Sequence, residues 1–439
     1  MSQTATLKQK LIGLALSGGG MRAAAFHAGV LKYLAEQNLL ENVAHISSVS
    51  GGSLFTGLVF RLGQYKWPTS NEYIKNVLPN IGQIFTSKSL QCQTFRKWIS
   101  HWYNLRLVGL ILVLLYLDCV NSNIALVAVV IVLITISYRF RYTKSNALSQ
   151  VISRSWDIKA TLSQLPDFPV WSINATSTET GRRFRFKGIE IGDYETQYTN
   201  APQFLLAKAM AISASVPFVL GPMRFKTSQL VWKKSKKRPV IDKDDPSSFT
   251  CLHLYDGGIY DNLGMEPLFD AGEQTIKAFN QKINYLLFSD GGAIFEKKPK
   301  RFFIKDITLY RIIHIIVDKI TPYRIMNIIM DQVHGLRIRS FVNFLQNNPN
   351  SGVYVGIGKN FKSSLQNFRE KNTTINKIAA EKLEKEKWLS EQKVSRARDH
   401  DTDLKSMTKK EFNCLVLHGY ETAKWNVELF WDIASQDQQ

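Results

Sequence analysis

The amino-acid sequence predicts an α/β fold that carries an inserted hydrophobic helical hairpin and a C-terminal helical region. Two short apolar segments of buried-strand type each lead through a glycine-containing corner into a helix-like segment. Two uncharged apolar runs follow at residues 107–117 and 124–138, and the sequence beyond residue 295 is basic and mostly of helical pattern. With 439 residues, 45% of them hydrophobic, the chain can bury a large core and a smaller accessory region.

The first predicted strand ends in a loop of three consecutive glycines. Residues 11–16 are apolar, residues 17–22 read SGGGMR, and residues 23–34 have helical composition. Glycine N–H groups at the start of a helix can point at one anion, and Arg22 adds positive charge beside them. The loop matches neither the dinucleotide pattern G-x-G-x-x-G nor a phosphate loop with G-K-[ST]. We therefore interpret it as an oxyanion hole for a nearby nucleophile.

Ser50 lies in a tight corner between a second predicted strand and a second helix. Residues 46–53 read ISSVSGGS, and residues 54–60 form the apolar start of a helix. Small neighbours let a serine hydroxyl project above the edge of a sheet at a helix N-terminus, as in a nucleophile elbow. The usual elbow pattern is G-x-S-x-G, and Ser48 stands here in place of the first glycine. Such corners are also common turns without a catalytic role.

The base that a serine nucleophile needs is predicted to be Asp256. Residues 252–255 alternate like a strand, and Asp256 follows them beside two glycines. A serine hydroxyl is a poor nucleophile until a neighbouring base takes its proton. Histidine is the usual base, but none of the eight histidines, His334 among them, stands out, and we interpret each as structural. The simplest site is therefore a dyad of Ser50 and Asp256.

These motifs, in this order, resemble the signature of the patatin-like phospholipase family. Residues 212–218 (ISASVPF) are similar to the family's small-residue and proline segment, and residues 174–183 to the strand that precedes it. The resemblance covers roughly residues 10–60 and 168–295. It implies a three-layer α/β/α fold and hydrolysis of acyl esters in lipids by a Ser-Asp dyad, with no metal and no other cofactor.

The resemblance also implies a role for each position that matches a family motif. Asp290 repeats the Asp-Gly-Gly pattern after another strand, but it resembles a later turn of the family, so Asp256 is the predicted base. The predicted site consists of the nucleophile Ser50, the base Asp256, the oxyanion-hole amides of Gly18, Gly19 and Gly20, and Arg22 as support for that loop.

Two positions depart from the family pattern. Ser48 replaces the first glycine of the elbow, and Ala23 stands where the family often has glycine. Both side chains are small, so we interpret them as variation within the family. They are also the only support for an alternative in which the fold is kept and turnover is lost.

Residues 107–117 and 124–138 predict a helical hairpin in the membrane. Both runs are hydrophobic all round, as helices are when they are buried in lipid or in a large core. The flanking residues 102–106 and 139–140 bring each run close to the roughly 20 residues that a full span needs. Two core helices are the alternative. Five flanking side chains suit the membrane interface: Trp102, Tyr103, Arg106, Arg139 and Arg141.

Charge predicts the orientation of the hairpin and the surface that the protein meets. Basic residues flank both runs but are absent from the turn between them, which predicts that both ends face the cytoplasm. The net charge of +20 calls for an anionic partner. No nucleic-acid motif accompanies the basic clusters 233–238 and 297–301, so we expect an anionic membrane surface and no nucleic acid. The predicted location is a membrane, entered through residues 102–140, with the catalytic domain on its cytoplasmic side.

The predicted domain organisation interrupts one catalytic domain with the hairpin. Residues 1–95 and 146–295 form its two parts, residues 96–145 form the hairpin, and residues 296–439 form a basic, mostly helical C-terminal region. In that region, residues 353–359 predict a late strand, and residues 412–430 predict an amphipathic helix that docks back on the core. The four cysteines lack metal or redox spacing, which suits a reducing compartment.

The predicted function is that of a membrane-bound serine lipid acyl hydrolase of the phospholipase or lysophospholipase type. Its substrate would be a phospholipid or a lysophospholipid, cleaved through an acyl-serine intermediate on Ser50 with Asp256 as base. Two alternatives stay open from the sequence. One is a catalytically inactive, membrane-anchored lipid-binding or scaffold protein, and the other is an acyltransferase that uses the same acyl-serine.

Overall fold

The structure, a computed structural model, describes residues 10–87, 89–101, 109, 142–233, 249–277, 283–292 and 322–431. The basic cluster 297–301 and the cluster 233–238, apart from Lys233, lie outside these residues. No helix in the described part is both long and apolar enough to cross a membrane. Apart from Gly109, the hairpin at 102–140 also lies outside the described residues and stays a prediction, together with its five interface residues Trp102, Tyr103, Arg106, Arg139 and Arg141.

The chain folds around a mixed β-sheet, beside which β9 and β10 form a small separate ribbon. In chain order the strands are β1 (Ile12–Leu16), β2 (Val43–Val49), β3 (Val170–Ser177), β4 (Arg183–Lys187), β5 (Glu190–Asp193), β6 (Gln197–Asn200), β7 (Met223–Lys226), β8 (Cys251–Asp256), β9 (Phe269–Asp270), β10 (Thr275–Ile276), β11 (Tyr285–Asp290) and β12 (Gly352–Gly356).

The sheet is parallel on one side and antiparallel on the other. Its strand order is β12-β11-β1-β2-β3-β4-β5-β6, and β8 pairs with both β3 and β7. The pairs from β12 to β3 are parallel, while β4, β5, β6, β7 and β8 pair antiparallel. The central strands β1 and β2 are buried along their whole length, as parallel strands covered on both faces are.

Helices cover both faces of this sheet, which gives the three-layer α/β/α architecture. They are α1 (Gly20–Glu36), α2 (Gly51–Leu62), α3 (Ser70–Glu72), α4 (Leu78–Ser87), α5 (Leu90–Ile99), α6 (Lys144–Ser155), α7 (Leu206–Ser213), α8 (Gly258–Asp261), α9 (Pro322–Asn347), α10 (Phe361–Glu370), α11 (Lys377–Glu384), α12 (Glu391–Arg398) and α13 (Lys409–Phe430), with a π-helical segment (Tyr73–Val77) between α3 and α4.

Alternate residues of the central strands enter two different cores. In β1, Leu14 and Leu16 join the larger core, which contains the apolar faces of α1, α2 and α7. Ala15 between them joins a smaller core on the opposite face, together with Phe288 of β11 and Phe341 of α9. This alternation is the period of two that a pleated strand imposes on its side chains.

The C-terminal region is part of the same sheet and the same helical layer. β12 pairs with β11 in parallel, and α13 packs along α1. The predictions of a late strand and of a helix that docks back are therefore confirmed. The two helices approach so closely that a Cβ on Gly29 would lie 1.9 Å from the carbonyl oxygen of Val416. The predicted segments 1–95, 146–295 and 296–439 thus all contribute strands to one sheet.

Candidate active site

Ser50 occupies the corner between β2 and α2 in a backbone conformation that side chains rarely adopt. Its φ is 50° and its ψ is −118°. A strained corner of this kind is the geometry of a nucleophile elbow, and such strain persists where the surroundings enforce it. A Cβ on Gly51 would lie 2.2 Å from the backbone oxygen of Gly20, and one on Gly52 would lie 2.3 Å from that of Leu16. Only glycine fits at these two positions.

Ser48 has a structural reason to replace the usual glycine of the elbow. Its hydroxyl accepts a hydrogen bond from Trp171 Nε1 at 2.8 Å and lies 2.8 Å from the hydroxyl of Ser53. Ser53 in turn lies 2.8 Å from Ser213 Oγ, which accepts the backbone N–H of Ser50 at 3.0 Å. This chain of buried hydroxyl groups stabilises the backbone of the corner at Ser50. No local sequence pattern marks this chain of hydroxyls, because its members lie up to 165 residues apart in the sequence.

Strand register brings Asp256 to Ser50. Val49, the last residue of β2, pairs with Asn174 of β3. The next residue of β3, Ala175, pairs with Asp256, the last residue of β8. β4 pairs with Ala175 along one edge of β3, so β2 and β8 both lie along the opposite edge. Since β2 is parallel and β8 antiparallel to β3, their last residues face each other there. Asp256, the last residue of β8, therefore lies close to Ser50, the residue that follows β2.

The Asp256 carboxylate is buried and only partly satisfied. Its Oδ1 accepts the backbone N–H of Gly258 at 2.7 Å, while Oδ2 has no direct hydrogen-bond partner among the described residues. Burial raises the pKa of Asp256 to about 7, against the opposing effects of the Ser50 hydroxyl and the Gly258 N–H. A carboxylate with this pKa, beside a serine hydroxyl, has the basicity of a general base at neutral pH.

Asp290 has a different set of partners. Its Oδ2 accepts hydrogen bonds from His334 Nε2 at 3.0 Å and from the Tyr354 hydroxyl at 2.6 Å, and its Oδ1 accepts the Gly292 N–H at 2.9 Å. Although burial opposes ionisation, the charge of His334 and these hydrogen bonds hold the pKa of Asp290 below its ordinary value. The two Asp-Gly-Gly motifs therefore differ: the carboxylate of Asp290 is fully engaged, and that of Asp256 is open toward Ser50.

The glycine loop presents two backbone amides rather than three. The predicted oxyanion hole included Gly18, but the Gly18 N–H already donates to the carbonyl oxygen of Asn262 at 3.0 Å. The Gly19 and Gly20 N–H groups donate to no other group in the described part of the chain. Their φ angles of 134° and 60° belong to the left-handed region that favours glycine. The amides available for an oxyanion are thus those of Gly19 and Gly20.

Arg22 ties the glycine loop to the rest of the fold. Its side chain is buried, and its Nε donates to the carbonyl oxygen of Gly291 at 3.2 Å. Its Nη1 donates to the carbonyl oxygens of Arg398 and His400 at 3.2 and 2.9 Å. The Met21 N–H donates to Asp403 O at 2.9 Å in the same segment. The loop is therefore held by residues 398–403 of the C-terminal region.

A cavity of about 420 Å³ opens over Ser50 and Asp256. Gly19, Gly20 and Arg22 lie in its wall, as do several residues that belong to none of the predicted site motifs. Two apolar side chains of its wall, Phe95 and Val219, are 50% and 47% exposed. The additional lining residues are Gln91, Thr94, Phe95, Lys144, Ala214, Val216, Pro217, Val219, Leu220, Asn262, Gly292, Asn327, Met330, Asp331, His334, Thr402, Asp403 and Leu404.

Comparison with known proteins identifies the type of domain. A model of the patatin-like phospholipase family matches residues 14–269. Human GIVD cytosolic phospholipase A2 is a similar solved structure, with a TM-score of 0.35 and 14% identity over 63% of this chain and 45% of that chain. VipD from Legionella pneumophila is another, with a TM-score of 0.35 and 13% identity over 96% of this chain and 68% of that chain. The chain thus spans less than half the length of the human protein, and no curated protein sequence matches it.

Proposed function

The chain belongs to the patatin-like phospholipase family, and from this premise we propose that it is a serine lipid acyl hydrolase in which Ser50 is the nucleophile and Asp256 the base. The observation that carries the proposal is the open Asp256 carboxylate beside the Ser50 hydroxyl, in the wall of a cavity that exposed apolar side chains also line. The proposed enzyme class is a carboxylic ester hydrolase that acts without a metal.

The proposed reaction has two halves. Asp256 accepts the proton of Ser50 Oγ while that oxygen attacks the ester carbonyl, and the N–H groups of Gly19 and Gly20 donate to the oxyanion that forms. The alcohol then leaves with the proton held by Asp256, and an acyl-serine remains. In the second half, water attacks the acyl-serine as Asp256 takes its proton, and Ser50 regains a proton as the fatty acid leaves.

The proposed substrates are phospholipids or lysophospholipids at an anionic membrane surface. Phe95 and Val219 in the cavity wall are 50% and 47% exposed, and Phe218, next to Val219 in the chain, is 65% exposed. Exposed apolar side chains at a cavity suit the entry of an acyl chain from a lipid layer. The net charge of +20 favours anionic headgroups.

The predicted hairpin at 102–140 and its cytoplasmic orientation belong to this proposal, as do the four segments of the predicted domain organisation.

The direct test uses the purified protein with vesicles of phosphatidylcholine and lysophosphatidylcholine. We expect release of fatty acid, and we expect a fluorophosphonate probe to label Ser50, as located by mass spectrometry of the labelled peptide. The exposed Ser363, whose hydroxyl lies outside the cavity, is the matched control site and should stay unlabelled. Absence of both fatty-acid release and labelling would favour the scaffold alternative, whereas transfer of the acyl group to an added lipid alcohol would favour the acyltransferase.

The pH dependence of the reaction should report Asp256. Because burial raises its pKa to about 7 and only the carboxylate accepts a proton, kcat/KM should increase with pH through neutrality. At pH 6 we expect kcat/KM to be about tenfold below its plateau at pH 8 to 9, because about one tenth of Asp256 is ionised one pH unit below its pKa. The measurement uses an uncharged ester, so that the substrate does not titrate. A midpoint near pH 4 would contradict the assignment of a buried Asp256 as base.

A further inference from the structure

His334 lies in the wall of the cavity that contains Ser50, on one face of α9. Asn327, Met330, Asp331 and His334 all line this cavity. Their spacing of i, i+3, i+4 and i+7 is that of a single helical face. This face is largely polar, in contrast to the apolar residues Val216, Pro217, Val219 and Leu220 that line the cavity elsewhere.

A buried carboxylate and a tyrosine hold the imidazole of His334. Nε2 donates to Asp290 Oδ2 at 3.0 Å, and the same oxygen accepts the Tyr354 hydroxyl at 2.6 Å. His334 and Asp290 are 3% and 1% exposed. Among the described residues, His334 makes its side-chain hydrogen bond through Nε2, and none is found for the other ring nitrogen, Nδ1. The ring is therefore fixed through Nε2, and Nδ1 is left for a bond to a group outside the described part of the chain.

The charges around His334 favour its imidazolium form. Burial opposes that form, but Asp290 together with Asp261 and Asp331 raises the pKa of His334. Tyr354 donates to Asp290 and adds no charge at neutral pH. Lys144 of α6 and Arg22 also line the cavity, so its wall holds two further cations beside the carboxylates of Asp256, Asp331 and Asp403.

We propose that His334 binds the phosphate of the substrate lipid through the N–H of Nδ1. This inference rests on the proposed function, because it adds a headgroup contact to the ester site at Ser50. An acyl tail packed against His334 would leave a buried N–H without an acceptor, which is unfavourable. A phosphate oxygen would instead accept a charge-assisted hydrogen bond. His334 is thus a specificity residue that favours phosphate-bearing lipids over neutral glycerides.

The test compares two esters with the same acyl chain, lysophosphatidylcholine and monoacylglycerol, in identical neutral detergent micelles. His334→Gln puts an amide near the position of Nε2, which retains the donor to Asp290 while removing the charge and the second N–H. We expect the ratio of kcat/KM for lysophosphatidylcholine to that for monoacylglycerol to fall about tenfold, as loss of a hydrogen bond to a charged group implies. His253→Gln is the matched control, because His253 pairs with Glu179 at 2.6 Å outside the cavity, and it should leave the ratio unchanged.

A second measurement needs only the wild-type protein. Glycerophosphocholine, which has the phosphate but no acyl chain, should inhibit monoacylglycerol hydrolysis competitively, whereas glycerol should not. An unchanged kcat/KM ratio in folded His334→Gln, or equal inhibition by the two compounds, would overturn the role of His334. If the wild-type protein hydrolyses neither ester, the proposed function itself fails, which is a distinguishable result.

Discussion

Replacement of Asp256 by asparagine is expected to abolish hydrolysis and to raise the melting temperature. The variant lacks the base for Ser50, so kcat should fall by about 10³-fold or more. Because the pKa of Asp256 is raised, its stabilising contribution is fully present below the ordinary pKa of 3.8 and is lost as the pH rises through about 7. At pH 8 a buried, partly satisfied charge is thus replaced by a neutral amide. Calorimetry at that pH should give an increase of a few degrees.

Asp290→Asn is the matched control and should have the opposite effect on stability. The pKa of Asp290 is lowered, so its contribution is present above the ordinary pKa of 3.8 and is lost as the pH falls. Breaking the buried pair with His334 should cost about 3 kcal/mol at pH 8. Folded Asp290→Asn should still react with a fluorophosphonate at Ser50, whereas Asp256→Asn should react far more slowly. Equal losses of stability in the two variants would contradict these different roles.

Replacement of Gly29 by alanine is expected to disrupt the docking of α13 on α1. The new Cβ would lie 1.9 Å from the carbonyl oxygen of Val416 and 2.7 Å from the backbone nitrogen of Tyr420. Neither backbone atom can move without displacing the helix, so we expect a loss of about 3 kcal/mol or more in the free energy of unfolding. Chemical denaturation measures this loss directly.

The same substitution at Gly335 of α9 is the control. The nearest atom to a Cβ there is Arg339 Nη1 at 3.9 Å, so Gly335→Ala should stabilise the helix by about 0.5 to 1 kcal/mol. Gly29→Ala should also reduce fluorophosphonate labelling of Ser50, because residues 398–403, which precede α13, hold the glycine loop through Arg22 and Met21. Wild-type stability and labelling in Gly29→Ala would refute this dependence of the site on the C-terminal region.

Features that depend on neighbouring residues were accessible from the sequence. Small residues are required at three strand ends: the glycine loop at 17–22, the corner at Ser50 and the end of β8 at Asp256. This requirement can be recognised from residues that are adjacent in the sequence. The α/β class and the family follow from the order of the three motifs, and the family model confirms both. Late elements such as β12 and α13 were visible in their own apolar patterns.

Tertiary structure alone decided which of these groups are chemically available. Asp256 and Asp290 have the same local sequence, but register along β3 brings one to Ser50, and His334 and Tyr354 engage the other. The Gly18 amide is occupied by Asn262, which lies 244 residues away in the chain. The physical reason is that a pKa or a free hydrogen-bond donor depends on the partners within a few ångströms, and folding supplies these partners from distant parts of the chain. The sequence by itself therefore determined the fold class and the candidate motifs, and packing determined the chemistry that each motif can perform.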